Sequence, residues 1–119
     1  MAALEKEGIL DNTMIIFSSD NGPVLDDGYL DRAYELNGTH RAAGPLRGGK
    51  YSKFDGGTRI PFIVYSSALK HQGVSEALIS QVDLYASFAH MLGIETREDS
   101  AVDSQDRYAA LIGEDPAGR

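Results

Sequence analysis

Asp20 and Asn21 are the first residues of this 119-residue chain whose types and spacing could do chemistry. They place a carboxylate and an amide oxygen side by side, directly after an apolar run. Hard oxygen ligands of this kind suit Ca²⁺ or Mg²⁺ better than they suit a soft metal. Taken alone, an Asp-Asn-Gly sequence after a strand is more often a turn than a metal site. The metal hypothesis therefore depends on support from elsewhere in the chain.

That support comes from Lys50, which directly follows Gly48 and Gly49. The two glycines let the backbone come close to a bound group, and a lysine ammonium is a compact charge that binds phosphate or sulfate oxygens. The segment is not a P-loop, because the residue directly after Lys50 is neither Ser nor Thr and the glycine spacing of that motif is missing. Lys50 is therefore a candidate anion-binding residue.

Three elements are predicted to position these residues. Thr13–Phe17 and Ile60–Tyr65 are apolar and contain β-branched residues, which predicts two strands, the first of them buried. Ser80–Leu92 has the start and stop signals of a helix. Its predicted buried face consists of Leu84, Phe88, Met91 and Leu92. Strands and an amphipathic helix in this order predict an α/β fold, with the strands in one predominantly parallel sheet and the helix on one face.

The loops past the carboxyl ends of strands carry the chemistry of such sheets. Asp20 and Asn21 would lie at such an end. A metal and a cation that bind one sulfate must approach it from different sides, so we expect Asp20, Asn21 and Lys50 to converge on one cleft at that edge. Arg47 is expected to pair with a carboxylate and brace the loop. The last residues, Glu114–Arg119, show no pattern and are expected to fray.

The composition of the chain argues against several kinds of partner and segment. The formal charge of −7 and the isoelectric point near 4.8 argue against a nucleic acid or an anionic membrane surface as partner. Without cysteine the chain forms no disulfide, and no apolar run reaches the ~20 residues of a membrane span. Glu5, Lys6 and Glu7 stand where a signal peptide would need an apolar core. We expect one domain with no export signal in this chain, and its localisation stays open.

Three motifs together resemble the catalytic domain of the type-I, formylglycine-dependent sulfatases of the alkaline-phosphatase superfamily. They are Ser19-Asp20-Asn21-Gly22, Gly44-Pro45-Leu46-Arg47-Gly48-Gly49-Lys50, and Phe54-Asp55-Gly56-Gly57-Thr58-Arg59-Ile60-Pro61-Phe62. The resemblance runs from about Gly8 to Ile112. It implies a partial alkaline-phosphatase-like fold, with a mostly parallel sheet and flanking helices.

The resemblance also implies a mechanism. In these sulfatases a formylglycine, made from Cys or Ser, attacks the sulfur of a sulfate ester as its hydrated diol, assisted by Ca²⁺ (Mg²⁺ is possible). By this likeness Asp20 and Asn21 are metal ligands. Lys50 is both the catalytic residue that stabilises the leaving oxygen and a ligand of the sulfate, and His40 contacts the substrate. The expected substrate is a sulfated small molecule or a sulfated carbohydrate.

The nucleophile motif of the family, Cys or Ser followed by x-Pro-x-Arg, is absent from residues 1–119. We therefore expect the chain to be part of a sulfatase catalytic domain truncated at both ends, and to be inactive alone. The proteins it resembles are often periplasmic, secreted or lysosomal. Two alternatives stay open: a phosphodiesterase or phosphonate monoester hydrolase of the same superfamily, and a non-catalytic remnant that binds an anion or Ca²⁺.

Overall fold

The computed structural model describes residues 1–97 and 99–119. Five α-helices and two strands occur in this part of the chain, in the order α1 (Ala2–Lys6), β1 (Ile15–Ser18), α2 (Ala33–Asn37), α3 (Asp55–Thr58), β2 (Phe62–Tyr65), α4 (Leu84–Leu92) and α5 (Tyr108–Leu111). Short 3-10 helices precede β1 and α4, at Leu10–Asn12 and Gln81–Asp83. The chain divides into two compact units, Met1–Ile15 with Val64–Arg119, and Ile16–Ile63.

The two predicted strands are confirmed, and β1 pairs with β2. The prediction that the first strand is buried was wrong, since Phe17 is 64% exposed and the other residues of β1 are half-buried. A local apolar run does not specify what covers the strand. The pair is antiparallel, because the end of β1 lies beside the start of β2. Ser18 Oγ donates to the Pro61 carbonyl over 3.0 Å, and the Gly22 N–H donates to the Gly57 carbonyl over 2.9 Å. The expected predominantly parallel arrangement therefore does not hold for these two strands. The long connection between them returns to the end of β1 instead of crossing over to the start of that strand.

The predicted helix Ser80–Leu92 is confirmed, except that its first turn is the 3-10 helix Gln81–Asp83 and α4 itself begins at Leu84. Ser80 and Asp83 form a reciprocal capping box that leads through the 3-10 turn into α4. Gly93 ends the helix in the left-handed conformation, at φ 64°. The predicted buried face is only partly correct, since Leu84 and Phe88 are half-buried whereas Met91 and Leu92 are exposed. The side of the helix covered by the rest of its unit is the one that carries Ser87, which is fully buried.

A polar network ties α4 to the C-terminal segment within the first unit. Asp83 is fully buried and accepts hydrogen bonds from the backbone N–H groups of Ser80 (2.9 Å) and Gln105 (3.0 Å). Arg119 adds an ion pair to the same carboxylate at 2.6 Å. Burial raises the pKa of Asp83, but the hydrogen bonds and Arg119 outweigh it, so the pKa lies below its usual value.

Glu114–Arg119 is consequently not frayed, and that prediction was wrong. Besides the Asp83 ion pair, a bridge joins Gly118 to Leu78. The Leu78 N–H donates to Ala117 over 3.2 Å, and the Arg119 N–H donates to Leu78 over 2.6 Å. Long-range partners hold a segment whose local sequence gives no structural signal. The buried apolar residues Ala110, Leu111 and Ile112 lie one residue before it in the chain.

No helix in residues 1–97 and 99–119 is long and apolar enough to cross a membrane.

Candidate anion and metal site

The candidate metal ligands lie in the loop that follows β1, inside the second unit. Asp20 is exposed and Asn21 is half-buried. The Asn21 side-chain nitrogen donates to the Gly22 carbonyl over 2.9 Å, and Ser19 Oγ donates to the Asn21 carbonyl over 2.9 Å. These local bonds fix the backbone that carries the carboxylate and amide oxygens.

Gly22 holds this loop directly against the backbone of α3. Gly22 is buried, and a Cβ built on it would lie 1.8 Å from the Gly56 carbonyl oxygen. The same close approach allows the Gly22 N–H to reach the Gly57 carbonyl. Only glycine fits here, because any other side chain would overlap backbone atoms that cannot rotate away.

Lys50 is brought to the same loop through its backbone. Its N–H donates to the Pro23 carbonyl over 2.9 Å. A Cβ on Gly49 would lie 2.5 Å from that same oxygen, so the Gly49–Lys50 backbone is packed against Pro23. Pro23 follows Asn21 by two positions in the chain. Folding thus brings the backbone of the candidate anion-binding residue to the loop that carries the candidate metal ligands, although 29 positions (50 − 21) separate Asn21 from Lys50 in sequence.

A tight turn presents the Lys50 side chain. The Ser52 N–H donates to the Gly49 carbonyl over 3.0 Å, and Ser52 Oγ donates to the same carbonyl over 2.8 Å. Ser52 Oγ also accepts the Gly49 N–H over 3.2 Å. Lys50 and Tyr51 are the two central residues of the turn, and Tyr51 has a positive φ of 71°.

Arg47 braces this loop, but it does so differently from the prediction. Its guanidinium lies 3.7 Å from the centre of the Phe54 ring, and its carbonyl accepts the Gly56 N–H over 2.8 Å. No carboxylate in the described residues forms an ion pair with it. A planar guanidinium stacks well on an aromatic face, so the neighbouring aromatic ring replaces the expected carboxylate.

Two open clefts adjoin these loops, with a shared wall that includes Pro23, Ala43 and Leu46. The first, of about 540 Å³, is lined by Lys50 and His40 together with Arg41, Tyr34 and Tyr51, and is called the Lys50 cleft below. The second, of about 840 Å³, is lined by Asn21, Ser19 and Arg59, and is called the Asn21 cleft. The structure thus places His40 and Lys50 together and Asn21 on the adjoining cleft, while Asp20 lines neither. The predicted convergence of Asp20, Asn21 and Lys50 on one cleft is therefore not observed, although the backbone of Lys50 does contact the loop that carries the other two.

The donor set of Asp20 and Asn21 fits a hard cation in part. Both supply oxygen, the exposed carboxylate can turn toward an ion, and the backbone between them is fixed by hydrogen bonds. Ca²⁺ takes about six to eight oxygen ligands, more than this pair offers. In residues 1–97 and 99–119, no group of three or more His, Cys, Asp or Glu side chains is arranged to hold a metal ion.

Sequence reasoning missed Tyr51 and the carbonyl of Pro23. Glycines on one side and Ser52 on the other signal a turn around Lys50, but the sign of φ at Tyr51 has no local signature. The Pro23 contact joins residues far apart in the chain, and no pattern within either segment indicates it.

Comparison with known proteins shows what this chain is similar to. A family model described as Sulfatase matches residues 1–94 of the chain. An N-acetylgalactosamine-6-O-sulfatase from Bacteroides thetaiotaomicron is 47% identical over 119 residues, covering 100% of this chain and 23% of that protein. An arylsulfatase from Hemicentrotus pulcherrimus is 34% identical over 109 residues, covering 92% of this chain and 18% of that protein.

One solved structure, whose description concerns the metabolism of multiple glycosaminoglycans by Bacteroides thetaiotaomicron, superposes on the whole chain. Its TM-score is 0.91 and its sequence identity is 49%, and the match covers 100% of this chain and 25% of that one. The chain therefore spans about a fifth to a quarter of the length of these relatives.

Proposed function

Because this chain belongs to the sulfatase family, we propose that it supplies the anion-binding part, and two metal ligands, of a site that hydrolyses sulfate esters. The observation that carries the proposal is the hydrogen bond from the Lys50 N–H to the Pro23 carbonyl, 2.9 Å long. It holds Lys50 against the loop of Asp20 and Asn21. A sulfate bound there would have a cation on one side and a metal on another.

Lys50 has the role of binding the sulfate and stabilising the negative charge that develops on the leaving oxygen. A preorganised cation does this well because it needs no rearrangement at the moment of reaction. The turn at Gly49–Ser52 supplies that preorganisation, since it fixes the backbone of Lys50 with bonds at both ends. His40 lines the same cleft and would contact the remainder of the substrate.

Asp20 and Asn21 would supply two of the oxygen ligands of Ca²⁺. When bound, that ion neutralises sulfate oxygens and so favours attack on sulfur. The nucleophile, expected to be a formylglycine, would come from outside residues 1–119. Given the printed name of the Bacteroides relative, the expected substrate is a sulfated carbohydrate.

A segment exchange tests the proposal. In the Bacteroides thetaiotaomicron N-acetylgalactosamine-6-O-sulfatase, the segment that aligns with this chain would be replaced by the chain. All 119 residues of the chain are included in that alignment. We expect the chimera to hydrolyse a sulfate ester in the presence of Ca²⁺. Lys50→Ala should lower kcat/KM by about 100- to 1,000-fold, the usual cost of removing one group that stabilises the transition state.

Arg47→Ala is the matched control, since Arg47 is a cation in the same loop that contacts Phe54. Its loss should cost less than about tenfold, in keeping with an exposed cation–π contact of ~0.5–1 kcal/mol. Asp20→Ala should also raise the Ca²⁺ concentration needed for half-maximal activity. Equal losses for the Lys50 and Arg47 variants, or a chimera that prefers a phosphodiester over a sulfate ester, would contradict the proposal.

A further inference from the structure

Tyr51 occupies a strained position in the turn that presents Lys50. It is the third residue of the turn closed by the Ser52 N–H on the Gly49 carbonyl, and its φ is 71°. Turns with a positive φ at this position favour glycine. A residue with a side chain in the left-handed region costs ~1–2 kcal/mol. Strain of this kind persists only where the surrounding contacts hold it, and it concentrates at functional sites.

The contacts around the turn explain how Tyr51 is held. Three hydrogen bonds join Gly49 to Ser52, and Lys50 is anchored separately to Pro23. A Cβ on Gly57 would lie 2.4 Å from the Ser52 carbonyl oxygen, so the backbone on that side is also closely packed. The fold therefore fixes the turn whatever side chain stands at position 51.

The Tyr51 ring is placed beside the candidate anion-binding group. Lys50 Nζ lies 5.3 Å from the ring centre, and both side chains line the Lys50 cleft. Yet Tyr51 is 78% exposed, so burial of its ring does not offset the backbone strain at this position. The exposed ring thus offers an apolar, electron-rich surface next to a cation in the cleft.

We propose that Tyr51 determines specificity by stacking on the pyranose ring of a sulfated sugar whose sulfate is bound by Lys50. This inference rests on the function proposed above and extends it to the sugar. A sulfate ester is attached to a ring carbon or to the neighbouring exocyclic carbon, so a sulfate held by Lys50 places the sugar ring within reach of Tyr51. The C–H groups of one sugar face carry partial positive charge, which complements the negative face of an aromatic ring.

A binding experiment on the 119-residue chain tests this. The probes are N-acetylgalactosamine 6-sulfate, unsulfated N-acetylgalactosamine and inorganic sulfate, and dissociation constants are measured by NMR titration of the backbone amides. Tyr51→Ala should weaken binding of the sulfated sugar about two- to tenfold, as expected for loss of an aromatic contact. Binding of inorganic sulfate should change less than about twofold. Tyr51→Phe should retain affinity for the sulfated sugar, because it keeps the ring.

The matched control is Tyr29→Ala, which removes an equally exposed tyrosine, 77% exposed, that does not line the Lys50 cleft. It should leave both dissociation constants unchanged. Lys50→Ala should weaken binding of sulfate and of the sulfated sugar alike.

A second measurement separates recognition from a structural role. Tyr51→Gly should raise the unfolding temperature, since glycine adopts a positive φ without strain, while binding of the sulfated sugar falls as it does for Tyr51→Ala. A purely structural tyrosine would instead lower the unfolding temperature when replaced by glycine.

The outcomes distinguish this inference from the function on which it rests. If sulfate and the sulfated sugar bind through Lys50 but Tyr51→Ala changes neither, the stacking role is refuted and the proposed function stands. If neither sulfate nor the sulfated sugar binds to the unmodified chain, the stacking role is refuted, and the proposed function is decided separately by the Lys50→Ala and Arg47→Ala variants of the chimera.

Discussion

Replacing Gly22 by alanine should destabilise the second unit more than the same replacement at a glycine whose added Cβ would have no atom within 4 Å. The added Cβ would lie 1.8 Å from the Gly56 carbonyl oxygen and 2.8 Å from the Gly57 Cα. Because these are backbone atoms, the loop must move away from α3. The hydrogen bond from the Gly22 N–H to the Gly57 carbonyl, 2.9 Å long, would then be lost.

The size of the effect follows from two terms. Inserting a methyl group into closely packed backbone costs ~1–3 kcal/mol, and the lost hydrogen bond adds ~1 kcal/mol. We therefore expect the free energy of unfolding to fall by about 2–4 kcal/mol. The assay is urea denaturation of the chain, followed by circular dichroism and extrapolated linearly to water.

Gly28→Ala is the control for this prediction. Nothing lies within 4 Å of a Cβ at Gly28, but its φ of +88° makes alanine strained. Its expected cost is ~1 kcal/mol, from backbone strain alone. If Gly22→Ala destabilised the chain no more than Gly28→Ala does, the claim that Gly22 packs closely against the backbone of α3 would be refuted.

Three further predictions concern the first unit and the chain as a whole. The pKa of Asp83 lies below its ordinary value of 3.8. The stability contributed by the carboxylate is therefore complete above about pH 4 and is lost as the pH falls through the lower folded pKa. The urea midpoint of the chain should therefore drop over that acidic range, and it should drop less in Asp83→Asn; equal slopes would contradict the network. Arg119→Ala should destabilise the chain at pH 7 by about 1–3 kcal/mol, because it leaves a buried carboxylate with fewer partners. The control is Arg97→Ala, which breaks an exposed ion pair with Asp99 and should cost less than ~1 kcal/mol. Purified, the 119-residue chain should not turn over an aryl sulfate, since its sequence lacks the nucleophile motif, and turnover that Lys50→Ala abolishes would overturn this expectation.

Several elements could be predicted from the sequence because their signals are local. The apolar runs predicted both strands, and Ser80, Asp83 and Gly93 predicted the limits of α4. The order and spacing of the three motifs identified the family, which the family model and the relatives confirm. In each case the signal lies in residue types and spacings that can be read along the chain without knowing its long-range contacts.

The errors share one physical cause, which is dependence on distant partners. Arg119 is ordered by Asp83, and Arg47 stacks on Phe54, although neither partner follows from the pattern around the arginine. The antiparallel pairing of β1 and β2 depends on where a long connection returns. The exposure of Met91 and Leu92 likewise depends on which side of α4 receives the C-terminal segment, and periodicity does not specify that side.

The most direct test of the central claim is a double-mutant cycle between Asp20 and Lys50 in the chimeric sulfatase. If a metal held by Asp20 and the ammonium of Lys50 act on one sulfate, the two groups are coupled. The combined loss in kcat/KM for Asp20→Ala with Lys50→Ala should then fall short of the product of the single losses, with a coupling energy of at least about 1 kcal/mol. Multiplicative losses, with no coupling between the two positions, would show that they do not share a site and would contradict the assignment.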